Sequence, residues 1–288
     1  MLFFGILNFA QIQKDTTFTI RSEYQKQVKK YPEIKKATTV LSPKIKTEYY
    51  IQYKKLSRRK LTLDAFFNTS EILPAIIIFH GGGWKSGNKE MQNPMAQELA
   101  NLGYQTFTIE YRLSDESKYP ASIEDGIDAI RFIKKNAKKF NIQKSKIAVL
   151  GCSSGAQMAT LIGEKYPQEI SAIINIDGIL AFHHPESEEG NMAEHWLGGT
   201  YKEIPKIWEE ASPLFHVSKK SPPILFINSQ FSRFHAGRDD MIKKLNTFKI
   251  YSEVKNIDNS PHTFWLFHPW FHPTIKYIDH FLKLILKK

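Results

Sequence analysis

The sequence predicts an α/β protein in which one parallel, doubly wound sheet carries helices on both faces. Three observations carry that expectation. Short apolar runs such as A-I-I-I-F at 75–79 lack polar alternation, as befits strands buried on both faces. Between these runs, apolar residues recur at helical spacing. The octapeptide L-G-C-S-S-G-A-Q at 150–157 sets a G-x-S-x-G between an apolar strand (146–150) and a helix start (156–165). In that context Ser153 stands on a nucleophile elbow, a sharp turn that lifts its hydroxyl out of the sheet. The two glycines let the backbone turn without a Cβ clash.

The 288 residues suit one large domain with a sizeable core, and no linker, repeat or low-complexity tract divides them. The first ten residues, M-L-F-F-G-I-L-N-F-A, read as the apolar part of a secretory signal with cleavage before Gln11. They lack the usual basic lead, so the true start is expected slightly upstream. The expected location is therefore secreted or periplasmic. Residues 11–47 are polar and basic, hold Pro32 and Pro43, and read as a lead-in.

Strands are expected at 48–53 and 60–67, the second with Leu61, Leu63, Ala65 and Phe67 on one face. After the run at 75–79 comes the loop H-G-G-G-W at 80–84. Met91, Met95, Leu99 and Leu102 mark a helix closed by Gly103, and 104–110 reads as a strand. Ser122 is the expected N-cap of a helix carrying Ile123, Ile127, Ile130 and Ile133. Beyond the elbow helix, strands are expected at 170–177, 224–229 and 249–255, with helices at 239–246 and 273–286. Residues 178–215 have no clear periodicity and read as an insertion over the site.

Net charge is +11, mostly from lysines scattered or in pairs, and no nucleic-acid motif accompanies them. The ordinary reading is a solvated lysine-rich surface, and the functional one is attraction to an acidic substrate. No segment is long enough to span a membrane. The only cysteine, Cys152, adjoins the elbow tip and reads as a packing residue.

Acyl transfer needs a nucleophile, a base, a group that orients the base and donors for an oxyanion. Ser153 is the nucleophile. The N–H groups of Gly82, Gly83 and Ser154 are the candidate oxyanion hole. His262, in N-S-P-H-T-F-W after the last expected strand, is the candidate base, with His235 as the alternative. His80 reads as structural. His183-His184 has no second ligand cluster, so no metal site is expected. The acid is the open position. The strand before the histidine loop runs into N-S-Q-F-S, which has no carboxylate. Asp177, at the end of the strand after the elbow helix, ranks first. Asp239, with Asp240 beside it, ranks second, although both look like first-turn helix acids.

H-G-G-G-W, E-Y-R-L (110–113), Y-P-A-S-I-E-D (119–125), G-C-S-S-G and P-H-T-F-W together resemble the esterase/lipase branch of the α/β-hydrolase superfamily. The resemblance covers roughly residues 48–286. It implies a three-layer fold with a mostly parallel eight-stranded sheet, a Ser-His-acid triad and no cofactor. The chain departs from the family where the usual acid is missing, and members that carry the acid one strand earlier favour Asp177. Segments at 184–190, 195–200 and 232–240 are similar to secreted bacterial carbohydrate esterases, including pectin methylesterases. That likeness implies a polysaccharide ester substrate, with Arg233 and Arg238 binding a uronate carboxylate. Trp84, Trp265 and Trp270 would then stack on sugar rings. The competing expectations are a peptidase-like or lipase-like hydrolase of the same fold, and an inactive sugar-binding homologue. Oligomeric state is left open.

Overall fold

The computed structural model describes residues 17–57, 59–188 and 190–286. The expected signal at 1–10 lies outside the described residues. Eight strands form the main sheet in the order β2-β3-β5-β4-β6-β7-β8-β9. These are β2 (Ile45–Lys55), β3 (Lys60–Asn68), β4 (Leu73–Phe79), β5 (Gln105–Ile109), β6 (Ile142–Cys152), β7 (Ala172–Ile176), β8 (Ile224–Asn228) and β9 (Ser252–Asn256). From β5 onward every pairing is parallel. At the other edge β2 pairs antiparallel with β3, and β3 antiparallel with β5. The sheet is thus mostly, not wholly, parallel. Its exception sits where β2 and β3 form a hairpin and need no crossover helix.

Alternation along the strands builds two cores. Ile77, Phe79, Val149 and Ile173 point to one side, where helices α3 (Ala121–Lys135) and α4 (Ser154–Lys165) supply Ile127, Ile130, Leu161 and Ile162. Ile76, Ile78, Leu150 and Ile174 point to the other. There α2 (Asn93–Asn101) and α8 (Phe271–Leu286) supply Met95, Leu99, Ile278 and Leu282. Each such fully buried side chain contributes roughly 1.5–3 kcal/mol.

Several elements differ from the sequence expectation. Ser122 is not the N-cap of α3: Pro120 holds that place, and Ser122 lies in the first turn, its hydroxyl accepting from Trp196 Nε1 at 3.3 Å. The lead-in is structured from Thr19 onward. Helix α1 (Ile20–Gln27) starts in a capping box between Thr19 and Ser22, and β1 (Lys35–Lys36) pairs with β10 (Phe267–His268). The segment 178–215 contains α5 (Gly190–Leu197) and α6 (Pro205–Glu210), whose Trp196 and Trp208 are buried. Helix α7 (Arg238–Thr247) follows β8.

Candidate active site

Ser153 caps β6 and opens α4 with φ 55° and ψ −126°, a conformation rare for a residue with a Cβ. The flanking glycines are required by close approach. A Cβ on Gly151 would lie 2.0 Å from the Gly155 carbonyl oxygen, and one on Gly155 would lie 2.3 Å from that of His80. The first turn of α4 therefore rests on the backbone at the end of β4. The strained serine is held by its own N–H, which donates to the Ile176 carbonyl at 2.8 Å.

The Ser153 hydroxyl donates to His262 Nε2 at 2.9 Å, and His262 Nδ1–H donates to Asp177 Oδ2 at 2.9 Å. Asp177 stands just past β7 and is 1% exposed. Its other oxygen accepts from the Ser229 N–H at 2.8 Å and the Asn228 amide at 3.4 Å. The tract N-S-Q-F-S, which has no carboxylate of its own, thus supplies donors that hold one from the neighbouring strand. Asp239 is not at the histidine. It pairs with Arg238 Nε at 2.8 Å and stands in solvent, and that hydrogen bond holds its carboxyl below the usual range. Asp240 pairs with Lys243 and His184. His235 makes no hydrogen bond to Ser153 or Asp177 among the described residues, and burial pushes its pKa down.

The glycine loop curls beside the serine. The Gly82 carbonyl accepts from the Ser86 N–H at 2.9 Å, and a Cβ on Gly82 (φ +130°) would lie 2.1 Å from the Ser86 carbonyl oxygen. Among the described residues, the N–H groups of Gly82, Gly83 and Ser154 make no backbone hydrogen bond. Ser154 N–H belongs to the first turn of α4, where the helix dipole favours negative charge. Behind the loop, His80 is buried and stacks on Tyr111 at 4.3 Å, and Tyr111 donates to the His80 carbonyl at 2.7 Å. Arg112 grips Asp125 with Nε at 2.7 Å and Nη2 at 2.8 Å. The E-Y-R-L and I-E-D motifs are therefore one brace under the glycine loop, through Tyr111 and Arg112.

The expected sugar-stacking tryptophans are elsewhere. Trp84 is 2% exposed, stacks on Trp196 at 5.0 Å and donates to Gln157 Oε1 at 2.9 Å. Trp265 is 1% exposed and stands edge-on to His262 at 5.3 Å. Trp270 packs edge-on against Tyr31 at 5.1 Å. None of the three rings lines the open cleft at Ser153: Trp265 is packed inside, Trp270 is half-buried against Tyr31, and Trp84 meets Ser153 only as a wall of a small chamber. Arg238 is also engaged, because Nη1 donates to Asn228 Oδ1 at 2.9 Å and so braces the donors around Asp177. Arg233 does line the cleft.

Two spaces meet at Ser153. An open cleft of about 500 Å³ is lined by Ser153, His262, Gly82, Arg233, Lys26 of α1 and Lys30 just beyond it. A chamber of about 20 Å³ is lined by Ser153, Ser154, Gly83, Trp84, Asp177, Ile179 and Phe234. Helix α1 as a cleft wall was hidden by the polarity of its residues. The Thr19/Ser22 box beside Ile20 and Tyr24 was the signal that could have found it. Glu23 of α1 accepts from the Thr263 hydroxyl at 3.2 Å and so ties this wall to the histidine loop.

Residues 63–235 match the BD-FAE family and include the glycine loop, the elbow and Asp177. The chain belongs to the BD-FAE family. Its fold is that of the α/β-hydrolases. A fungal esterase from Rhizomucor miehei superposes on this BD-FAE chain with TM-score 0.70 at 21% identity, covering 93% of it and 91% of the fungal chain. A bifunctional GH43-CE protein of Bacteroides eggerthii superposes with TM-score 0.69 at 21% identity, over 82% of this chain and 37% of that one. Esterase LipC of Mycobacterium tuberculosis is 27% identical over 188 residues, 59% of this chain. The BD-FAE chain spans 45% of LipC's length.

Proposed function

We propose that this chain is a serine esterase that removes small ester groups from a polysaccharide. The observation that carries the reading is the unbroken hydrogen-bonded series Ser153–His262–Asp177 at the floor of an open cleft. His262 takes the Ser153 proton as the hydroxyl oxygen attacks the ester carbonyl. The N–H groups of Gly82, Gly83 and Ser154 receive the negative charge on the carbonyl oxygen, and each such donor is worth about 2.7–4 kcal/mol of barrier. His262 then protonates the departing alcohol, and a water that it deprotonates releases the acid from Ser153.

The two spaces favour an acetyl ester over the methyl ester of a pectin-like uronate. The leaving alcohol must reach the proton on His262, and His262 lines the large cleft but not the small chamber. The acyl group is therefore assigned to the chamber, which is small beside the cleft and suits a short acyl group. A uronyl acyl group would not fit there, whereas an acetyl methyl does. The wide cleft suits a sugar chain as the alcohol, and the superposing Bacteroides eggerthii protein is described as a bifunctional GH43-CE protein. Lys26, Lys30 and Arg233 on its walls would tolerate an acidic sugar. Export directed by residues 1–10 would bring the chain to such a substrate.

A fluorophosphonate probe should label the protein at Ser153, with no label on Ser153→Ala. Acetylated xylan should release acetate, and methyl-esterified pectin should release little methanol. Full activity of Ser153→Ala on a short p-nitrophenyl ester would sink the reading, and faster methanol than acetate release would reverse the acyl assignment.

A further inference from the structure

The turn after β8, Ser232–His235, places Phe234 at the junction of the two spaces, because Phe234 lines both the open cleft and the small chamber. Its ring lies flat on the His262 imidazole, with centroids 3.4 Å apart and 12° between planes. The Arg233 guanidinium lies 4.2 Å from the centroid of the same ring. One face is covered by the imidazole, so the guanidinium occupies the other. Phe231 meets the ring edge-on at 6.3 Å, and Arg233 is itself tethered to Glu188 at 3.5 Å.

We propose that Phe234 is a positioning and specificity-determining residue. It is the wall that closes the acyl chamber, and it is the plate that fixes the imidazole plane. The proposal rests on the serine-esterase reading above and adds the residue that sets its acyl limit. The physical case has two parts. A ring stacked on the imidazole, capped by the guanidinium and met at one edge resists swinging aside to admit a longer chain, so added methylenes of an acyl group meet its carbon atoms. The imidazole must also keep Nε2 on the Ser153 hydroxyl while Nδ1 stays on Asp177. A flat stack opposes rotation about the axis that would break both bonds, and Trp265 blocks from another side.

Removal of the ring affects two substrates unequally, which general damage to the fold would not produce. Phe234→Ala should lower kcat on p-nitrophenyl acetate about tenfold as the imidazole loosens. It should also raise the ratio of kcat/KM for butyrate to that for acetate by at least tenfold as the chamber opens. Phe234→Leu keeps more of the wall and should give an intermediate ratio. Phe234→Tyr keeps the ring and should leave the ratio near the wild-type value. Each variant is first labelled with a small fluorophosphonate. A wild type that does not label overturns the esterase reading itself. Variants that label with an unchanged butyrate-to-acetate ratio overturn the role assigned to Phe234 and leave that reading intact. If Phe234→Ala is poorly folded by circular dichroism, the Leu and Tyr ratios decide alone.

Discussion

Asp177→Asn is the substitution with the largest effect for the smallest change of shape. Asp177 Oδ1 accepts from the Ser229 N–H at 2.8 Å and Oδ2 accepts from His262 Nδ1–H at 2.9 Å. An asparagine must keep its carbonyl oxygen on Ser229, because its NH2 cannot accept from a backbone N–H. The NH2 then faces Nδ1 of His262, donor against donor. The imidazole escapes that clash by moving its proton to Nε2. In that tautomer Nε2 has no lone pair for the Ser153 proton. The expected loss in kcat is on the order of 10⁴, or about 5.5 kcal/mol of barrier. KM should change little, since Asp177 does not line the large cleft and an asparagine keeps the shape of its part of the small chamber's wall. The assay is steady-state hydrolysis of p-nitrophenyl acetate, with thermal denaturation as the control for folding. Asp239→Asn should retain nearly all activity, because its exposed pair with Arg238 is worth at most about 1 kcal/mol. An Asp177→Asn enzyme within tenfold of wild type, or an Asp239→Asn enzyme as crippled as Asp177→Asn should be, would refute the assignment of the acid.

Two further outcomes follow from the same geometry. Gly82→Ala would put a Cβ 2.1 Å from the Ser86 carbonyl oxygen at φ +130°, so the loop must move and its N–H groups with it. The kcat on p-nitrophenyl acetate should fall about 10²–10³-fold, and a fall below threefold would remove Gly82 from the oxyanion hole. Glu164, on α4, is 4% exposed, and burial pushes its pKa up to about 7, partly opposed by the Ser221 hydroxyl it accepts from. The folded protein then binds this proton more tightly than the unfolded chain. The stability this group contributes is full below the ordinary value of 4.5 and is lost as pH rises through about 7. The loss is on the order of 3 kcal/mol. Glu164→Gln should therefore flatten the pH dependence of the urea midpoint between about pH 5 and 8, and an unchanged slope would show that Glu164 does not carry it.

The sequence alone determined the alternation of buried strands and amphipathic helices, and with it the layered sheet. It also located the elbow at Ser153, because a tight strand-to-helix turn needs glycines at fixed local spacing. These are local requirements, written in contiguous residues. The antiparallel edge, helix α1 and the fates of the tryptophans are not local. Trp84 and Trp265 look the same in sequence whether they line a cleft or fill a core, and only packing against Trp196 and beside His262 took them inside. The acid is the clearest case. Asp177 and Asp239 were both plausible in the chain, and their difference lies in neighbours 52 and 1 residues away: the Ser229 N–H, which reaches Asp177 inside the protein, and Arg238, which holds Asp239 in solvent. A buried carboxylate needs donors to stay charged, and tertiary structure alone brought those donors to Asp177. The elbow thus places the serine by local geometry, while the partners that would activate it are set by contacts between distant strands.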